Sequence, residues 1–297
     1  MFPLRLSIIL GLCLSAAGLA GAAPILNCVG DSITAGVGVS GSLVGIQSYP
    51  ARLQQLIGTN YLVGNKGYSG STLLANGDLP YLGSTAYYGS LKFSPVVYVL
   101  MLGSNDSKPQ NWVYGTNFYS NYLNLIGVYS NLASHPRILI CTPPPVFNSG
   151  AFAINPGIVA TNISPIVRQL GLDLGLQVID LQTLLAGHGE WFPDNVHPDA
   201  QGAMVMAAIV YAAVSGDTMN GAIPSVAIKP PTSQNAVLSW PAGGAGWVLQ
   251  STTNPGGTNS WLIASNSVAI GNDGAALSFT NSAAAPSALF RLWNPSP

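Results

Sequence analysis

Charged side chains are what this sequence has least of. Only 6% of the 297 residues are charged, with 9 Lys and Arg against 10 Asp and Glu, and the formal net charge is −1. A nucleic-acid partner requires a basic stripe or patch, and nine cations spread over the whole chain do not form one. The sequence therefore indicates that no nucleic acid is a partner.

Histidine is also scarce, and this limits the metal chemistry that the chain can perform. The 3 histidines, His135, His188 and His197, are scattered along the sequence. A zinc site needs three or four clustered ligands, and no glycine-rich phosphate-binding loop is present. We therefore predict neither a metal nor any other cofactor.

Long apolar runs are absent except for two, at residues 6–17 and 203–214, and both are shorter than the ~20 residues that span a bilayer. The first follows Arg5 and precedes the small residues Ala20, Gly21 and Ala22, which is typical of a signal peptide. We predict a signal peptide over residues 1–22 and a secreted protein, extracellular or periplasmic. The second run predicts a buried helix, so we expect no stable membrane insertion.

Apolar, β-rich runs alternate with helical stretches up to about residue 216. The predicted strands are 25–29, 61–64, 96–102, 137–141 and 177–180, and the main predicted helices are 50–57, 116–133, 158–174 (with a kink at Pro165) and 199–214. This alternation is typical of an α/β fold with a parallel sheet covered on both faces. Ligands of such sheets bind outside the carboxyl ends of the strands.

The composition changes after Gly216. Short alternating runs separated by Pro, Gly, Asn and Ser follow, and no helical period is visible. We predict a main domain over residues 23–216, a linker over 217–224 and a small C-terminal all-β sandwich over 225–297. Trp247 and Trp261 in the last part are either core residues or a sugar-stacking platform.

Four motifs carry the chemistry, and two of them follow predicted strands directly. An Asp-x-x-His spacing lets one loop present a carboxylate and an imidazole together, and a serine after a strand supplies the nucleophile that they would activate. The motifs are Gly30-Asp31-Ser32-Ile33, Asn65-Lys66-Gly67-Tyr68-Ser69-Gly70-Ser71, Gly103-Ser104-Asn105-Asp106 and Asp194-Asn195-Val196-His197-Pro198.

In this order and spacing the motifs resemble those of the GDSL/SGNH hydrolase family over residues 25–215. The departures are Ile33 in place of leucine and Ser104 in place of threonine or glycine, and neither removes a catalytic group. The resemblance implies a three-layer, flavodoxin-like α/β domain with a central parallel sheet.

The resemblance also implies roles for individual residues. Ser32 would be the nucleophile, His197 the general base and Asp194 the group that orients the histidine. The backbone N–H groups of Ser32 and Gly70 and the side-chain amide of Asn105 would form the oxyanion hole.

Some features keep a plainer interpretation. Ser32 alone reads equally well as a helix N-cap, and Asp31 and Asp106 read as structural residues that bond to nearby backbone. Ser69 is a rival nucleophile, but Ser71 stands where the Gly-x-Ser-x-Gly elbow requires glycine. If the sheet has the family's strand order, Cys28 and Cys141 lie on strands that are not neighbours, and we expect two buried free thiols.

The substrate is less well defined by the sequence. Residues 105–112 resemble secreted family members that deacetylate sugars, including those like sialate O-acetylesterase and acetylxylan esterase, so we expect a small ester or an O-acetylated glycan as substrate. The residues expected to contact the substrate are Trp112, Ser71, Pro144 and Val196. A short-chain lipid or aryl esterase, with a groove walled by the prolines at 143–145, stays open, as does a non-catalytic glycan-binding protein.

Overall fold

The computed structural model describes residues 22–39, 41–148 and 151–215, together with seven strands between residues 227 and 293. Apart from Ala22, the predicted signal peptide (1–22) and the predicted linker (217–224) lie outside the described residues, as do Trp247 and Trp261. The boundaries proposed for the domains therefore stay predictions.

A parallel sheet of five strands forms the centre of the main domain, in the order β2-β1-β3-β4-β5. Its strands are β1 (Ile25–Gly30), β2 (Leu62–Gly67), β3 (Val97–Met101), β4 (Arg137–Cys141) and β5 (Gln177–Ile179). The predicted fold class is confirmed. The second strand extends three residues beyond the prediction, because pairing with β1 continues from Leu62 to Gly67.

Helices connect the strands and cover the sheet. They are α1 (Ser32–Ala35), α2 (Val44–Gln47), α3 (Tyr49–Ile57), α4 (Thr85–Ser90), α5 (Pro109–Trp112), α6 (Phe118–Ser130), α7 (Pro156–Ile158), α8 (Ser164–Leu174), α9 (Leu181–Leu184) and α10 (Ala200–Ser215). Single turns of 3-10 helix occupy Gly41–Leu43, Asn105–Ser107, Gly115–Asn117, Ala151–Ala153 and Gly189–Trp191.

The central strands bury both of their faces, so the domain has three layers. In β3, Val97, Val99 and Met101 belong to a core shared with α3 and α10. Tyr98 and Leu100, at the alternate positions, belong to a second core shared with α6 and α8. Because successive side chains of a strand point to opposite faces, a continuous apolar run such as this one is what a doubly covered sheet requires.

One predicted helix, residues 158–174, is interrupted rather than simply kinked. A π-helical turn over Val159–Ile163 separates α7 from α8, and Pro165 lies in the first turn of α8. Proline has no backbone N–H to donate to the carbonyl of Thr161, and the wider turn directly before it accommodates the missing bond.

Cys28 and Cys141 are both buried and unpaired. They lie on β1 and β4, which β3 separates, as the family strand order predicts. Burial raises the pKa of both thiols, that of Cys28 to about 12, so both remain neutral and unreactive at physiological pH.

The C-terminal region contributes strands of two antiparallel sheets. One has the order β10-β11-β7-β6 and the other β12-β8-β9. The strands are β6 (Ala227–Thr232), β7 (Asn235–Pro241), β8 (Val248–Thr252), β9 (Leu262–Ile263), β10 (Val268–Ile270), β11 (Ala276–Ser282) and β12 (Leu289–Trp293). The connections between them lie largely outside the described residues, and the sandwich stays a prediction.

Among the helices that the structure describes, none combines the length and the apolar character needed to cross a membrane. The helix α10, which contains the apolar run 203–214, is largely buried against the sheet.

The contact between α8 and β5 depends on a glycine, which makes it testable. A Cβ atom on Gly171 would lie 2.1 Å from Cγ2 of Val178 and 3.2 Å from the carbonyl oxygen of Leu176. We expect Gly171→Ala to lower the free energy of unfolding by about 1–3 kcal/mol through overpacking. Urea unfolding followed by tryptophan fluorescence measures this change.

Gly127→Ala in α6 is the matched control, because no atom lies within 4 Å of its added Cβ. Alanine has the higher helix propensity, so this variant should be neutral or stabilised by up to about 1 kcal/mol. Equal effects of the two substitutions would contradict the close contact between α8 and β5.

Candidate active site

Ser32 is the first residue of α1, directly beyond the carboxyl end of β1. The N-cap of this helix is Asp31, whose Oδ1 accepts a hydrogen bond from the backbone N–H of Ile33 at 2.9 Å. The alternative interpretation of Ser32 as the cap is therefore wrong. Because Asp31 caps α1, the Ser32 hydroxyl is not needed for capping. Oγ of Ser32 instead lies 2.9 Å from Nε2 of His197.

The loop after Gly189–Trp191 presents Asp194 and His197 together. Oδ2 of Asp194 lies 2.7 Å from Nδ1 of His197. Oδ1 accepts the backbone N–H groups of Val196 and His197 at 3.0 and 2.7 Å. These bonds close the Asp-x-x-His loop on itself, so the spacing in the sequence is sufficient to orient the imidazole.

Electrostatics determine which nitrogen of His197 carries the proton. Partial burial acts to raise the pKa of Asp194, but hydrogen bonds from the His197 backbone and ring and from the Val196 backbone outweigh it, and the net pKa lies below its ordinary value. The carboxylate is thus ionised at neutral pH and can only accept hydrogen bonds. Nδ1 of His197 must donate to it, which leaves Nε2 free to accept the hydroxyl proton of Ser32.

Gly70 and Asn105 lie beside each other. Nδ2 of Asn105 donates to the backbone carbonyl of Ser71 at 3.1 Å, and this bond uses one of the two N–H groups of the amide. Gly70 has φ +83°, a conformation in which other residues are strained. The hydrogen bond thus holds the Asn105 amide against Ser71, the residue that follows Gly70.

Two buried side chains hold the loops that carry Gly70 and Asn105 against each other. Asp106 accepts the backbone N–H groups of Leu73 and Leu74 at 3.0 and 2.7 Å. Asn111 donates to the carbonyl oxygen of Asn105 at 2.9 Å and to the carboxylate of Asp78 at 3.0 Å. We expected local bonds for Asp106, and the bonds instead cross to another loop.

Asp31 and Asp106 are both fully buried carboxyl groups near this site. Burial raises the pKa of Asp31 to about 6, against the lowering effect of the Ile33 N–H and the charge of His197. Burial raises the pKa of Asp106 to about 7, and the negative charge of Asp31 adds to the increase.

The four residues expected to contact substrate all have internal contacts. The Trp112 ring packs against Phe118, with centroids 6.1 Å apart, and lies over Gly115. Ser71 and Val196 have exposed fractions of 0% and 1%, and Pro144 is also buried. Ser71, Val196 and Pro144 thus support the loops of the site, and a contact of any of the four residues with substrate stays a prediction.

Ser69, the rival nucleophile, and His188 have different surroundings from Ser32 and His197. The imidazole of His197 pairs with Ser32 and not with Ser69. The ring of His188 stacks on Trp191 at 3.9 Å, and its Nδ1 lies 2.9 Å from a carboxylate oxygen of Glu190. Within the residues that the structure describes, no three His, Cys, Asp or Glu side chains gather as a metal site would require.

Sequence reasoning missed two residues that touch His197. Gly38 has φ +104°, and a Cβ atom there would lie 2.9 Å from Cβ of His197 and 2.4 Å from the carbonyl oxygen of Pro198. The Phe152 ring meets the His197 ring edge to face, with centroids 5.0 Å apart. Neither Gly38 nor Phe152 belongs to one of the four motifs, and the residues around them in the sequence do not indicate that they contact His197.

The geometry agrees with what the chain resembles in sequence. A model of the GDSL-like lipase/acylhydrolase family matches residues 28–205, more than half of the chain. The chain belongs to the GDSL-like lipase/acylhydrolase family. The family predicted from the four motifs is thereby confirmed.

A curated protein is similar to this chain over much of the chain's length. An acetylxylan esterase from Xylanibacter ruminicola is 37% identical over 205 residues, which cover 63% of this chain and 42% of that protein. The chain thus matches less than half the length of this curated relative.

Two solved structures resemble the main domain. A carbohydrate acetylesterase family member from Sinorhizobium meliloti has a TM-score of 0.52 and 23% identity, covering 65% of this chain and 98% of that one. The M. smegmatis aryl esterase has a TM-score of 0.54 and 17% identity, covering 65% and 99%. At these identities the likeness shows the fold alone.

The tight contact of Gly38 with the histidine loop predicts a loss of activity in this GDSL-like protein. In Gly38→Ala the new methyl group must displace the backbone at Pro198 and with it His197. If His197 is the general base that the sequence predicts, kcat for p-nitrophenyl acetate should fall by about tenfold to a hundredfold with KM little changed, because small misplacements of a base are costly.

Gly58→Ala is the control for strain, since Gly58 also has a positive φ, +60°, but no atom lies within 4 Å of its added Cβ. This variant should keep the wild-type kcat. If both variants lose activity equally, backbone strain rather than displacement of His197 explains the loss.

The raised pKa of Asp31 predicts how stability depends on pH. A carboxyl whose pKa is higher in the folded protein stabilises the fold fully below about pH 4, and this contribution is lost as the pH rises through about 6. Asparagine at this position still caps α1 but never ionises. From pH 4.5 to 7.5, wild type should therefore lose about 2 kcal/mol more unfolding free energy than Asp31→Asn.

Urea unfolding at the two pH values measures this difference. Asp173→Asn is the control: hydrogen bonds from Tyr119 and Gln169 lower the pKa of Asp173, which therefore stays ionised throughout the window. Its profile should run parallel to that of wild type. A parallel profile for Asp31→Asn as well would contradict the raised pKa.

Proposed function

We propose that this GDSL-like protein is a secreted carboxylic ester hydrolase that removes short acyl groups, chiefly acetyl, from carbohydrates. The observation that carries the proposal is the hydrogen-bonded series Ser32–His197–Asp194, with distances of 2.9 and 2.7 Å. It is the arrangement by which an orienting carboxylate and a histidine base activate a serine hydroxyl.

The first half of the reaction forms an acyl-enzyme. As Nε2 of His197 takes the hydroxyl proton, Oγ of Ser32 attacks the ester carbonyl carbon, and the carbonyl electrons move to its oxygen. When the tetrahedral intermediate collapses, the bond to the alcohol oxygen breaks, and the imidazolium returns its proton to that oxygen. Asp194 fixes the tautomer of the neutral ring and stabilises the imidazolium that forms when the ring takes the proton.

The tetrahedral intermediate carries an oxyanion that requires preorganised donors. We assign this role to the backbone N–H groups of Ser32 and Gly70 and to the amide of Asn105. The bond from Asn105 to the Ser71 carbonyl supports the assignment, because it orients the amide next to Gly70. Each such donor is typically worth about 3 kcal/mol of the activation barrier.

Water completes the cycle. His197 takes a proton from a water molecule, which attacks the acyl-enzyme, and then gives the proton to Oγ of Ser32 as the acid leaves. Under acidic conditions a protonated imidazole cannot accept a proton from serine or water, so we expect activity to fall there.

The carbohydrate substrate rests on the relative from Xylanibacter ruminicola, which is described as an acetylxylan esterase. Pro143, Pro144 and Pro145 are buried, so they do not present the exposed apolar wall that a lipid groove would need. The lipid or aryl alternative therefore has no structural observation in its favour.

A purely glycan-binding role is disfavoured, since a binding protein has no need for all three of Ser32, His197 and Asp194. Secretion rests on the N-terminal sequence.

Replacing the nucleophile or the base tests the mechanism. We expect Ser32→Ala and His197→Ala to lower kcat for p-nitrophenyl acetate by at least about 10⁴-fold while the proteins remain folded. Asp194→Asn should be nearly as damaging, because the wrong tautomer of His197 would result. Ser69→Ala is the matched control and should stay close to wild type. A Ser32→Ala variant with near wild-type turnover would disprove the mechanism.

The substrate class requires a comparison of esters. Acetate release from acetylated xylan, p-nitrophenyl acetate and p-nitrophenyl octanoate should be measured in parallel for wild type and Ser32→Ala. We expect serine-dependent release from xylan and poor cleavage of the octanoate. Octanoate cleavage without activity on xylan would move the protein to the lipid or aryl esterases.

A further inference from the structure

An exposed aromatic ring stands directly beside His197. The side chain of Phe152 is 56% exposed, although its ring is in edge-to-face contact with the imidazole at 5.0 Å. His197 itself is only 4% exposed. A large apolar side chain that touches a buried imidazole and still presents surface to solvent is placed to meet whatever approaches that imidazole.

The segment that carries Phe152 is held in place from two sides. Ile154 is buried in a small apolar cluster with Val196, the residue before His197. The backbone N–H of Asn155 donates to Oγ of Ser107, in the loop of Asn105, at 3.0 Å. The segment of Phe152 is therefore fixed both to the loop of His197 and to the loop of Asn105.

The backbone of Phe152 is also in an unfavourable conformation. Its φ and ψ are +54° and +24°, a region that bulky residues rarely adopt. Ala153 follows with φ +59°. Residues in this region persist where the surrounding structure enforces them, and they cluster at ligand-binding sites. The same conformation occurs at Phe93, so strain alone does not identify a site; the contact with His197 does.

The chemistry of the histidine identifies which part of a substrate lies next to Phe152. On the proposed function, Nε2 of His197 must come within about 3 Å of the leaving alcohol oxygen to protonate it. The alcohol then lies beside the imidazole, and the Phe152 ring packs against that same imidazole with centroids 5.0 Å apart. The acyl carbonyl faces Gly70 and Asn105 instead. Phe152 therefore contacts the alcohol portion of the ester and not the acyl portion.

We propose that Phe152 forms a leaving-group subsite, a platform on which the ring of a sugar alcohol stacks while its acetyl group is removed. The apolar face of a pyranose, with its C–H groups, is the ligand that an exposed phenyl ring suits. This inference rests on the proposed function and adds to it the group that recognises the carbohydrate. An aryl alcohol could also stack on the Phe152 ring, and the experiment distinguishes a sugar from an aryl alcohol.

The test varies the alcohol while the acyl group stays acetyl. Wild type and Phe152→Ala are compared by kcat/KM on methyl acetate, phenyl acetate and a monoacetylated xylooligosaccharide. We expect kcat/KM on the xylooligosaccharide to fall by about threefold to tenfold in the variant. Methyl acetate, which has no ring to stack, should change by less than about twofold. Phe152→Trp should restore the activity on the oligosaccharide.

Phe93→Ala is the matched control. Phe93 is also a phenylalanine with positive φ, +65°, and is 80% exposed. It lies before β3, at the amino end of the sheet and away from Ser32. Its replacement should leave all three substrates unchanged.

Three results would overturn the subsite. An equal loss on all substrates would mean that Phe152 acts by positioning or shielding His197. No loss on any substrate would mean that the ring has no role. A loss confined to phenyl acetate would assign the platform to aryl alcohols and not to sugars.

Binding separates this inference from the proposed reaction. In a Ser32→Ala background, the affinity for the acetylated xylooligosaccharide is measured by calorimetry with and without Phe152→Ala. Threefold to tenfold weaker binding supports the subsite even if wild type proves inactive on every ester. Activity that requires Ser32, together with binding that does not depend on Phe152, supports the reaction and overturns the subsite.

Discussion

The buried carboxylate of Asp106 is the contact on which the arrangement of the site depends. Its oxygens accept the backbone N–H groups of Leu73 and Leu74, which lie 33 and 32 residues earlier in the chain. Unpaired, these buried groups would each cost on the order of 1–3 kcal/mol. The bonds hold the loop of Gly70 against the loop of Asn105. The position is unfavourable for a charge, since burial raises the pKa of Asp106 to about 7, but the carboxyl group satisfies two backbone N–H groups of the other loop at once.

The parallel sheet explains why distant motifs meet. The strands β1 and β3 are neighbours, so the loops after them, with Ser32 and Asn105, start from the same edge of the sheet. The histidine loop reaches this edge through a different route. Phe147, in the segment after β4, donates its backbone N–H to the carbonyl oxygen of Asn195 at 3.0 Å. The site is thus assembled from strand ends, which are rigid, and closed by a loop that is held by hydrogen bonds.

Sequence reasoning succeeded where the signal is local or periodic. The apolar run of β3 predicts a doubly buried strand, and the spacing from Asp194 to His197 predicts their contact. It was less accurate where residues distant in the sequence determine a side chain's contacts or the end of a strand. The sequence predicts that Asp106 bonds to nearby backbone, but it bonds to Leu73 and Leu74 in another loop. The strand predicted to end at residue 64 continues to Gly67. Phe152 has no sequence signal, because the feature that matters is its position over a histidine 45 positions later.

The sequence by itself determined the alternation of strands and helices, the family, and the pairing of Asp194 with His197, because dihedral preferences, side-chain periodicity and bonds within one loop act over a few residues. Only the tertiary structure decided that Ser32 meets a histidine 165 residues away, that Asp106 joins two loops, and that Gly38 and Phe152 border the imidazole. These contacts depend on strand order and on the packing of loops above the sheet, and neither is encoded in any one stretch of the chain.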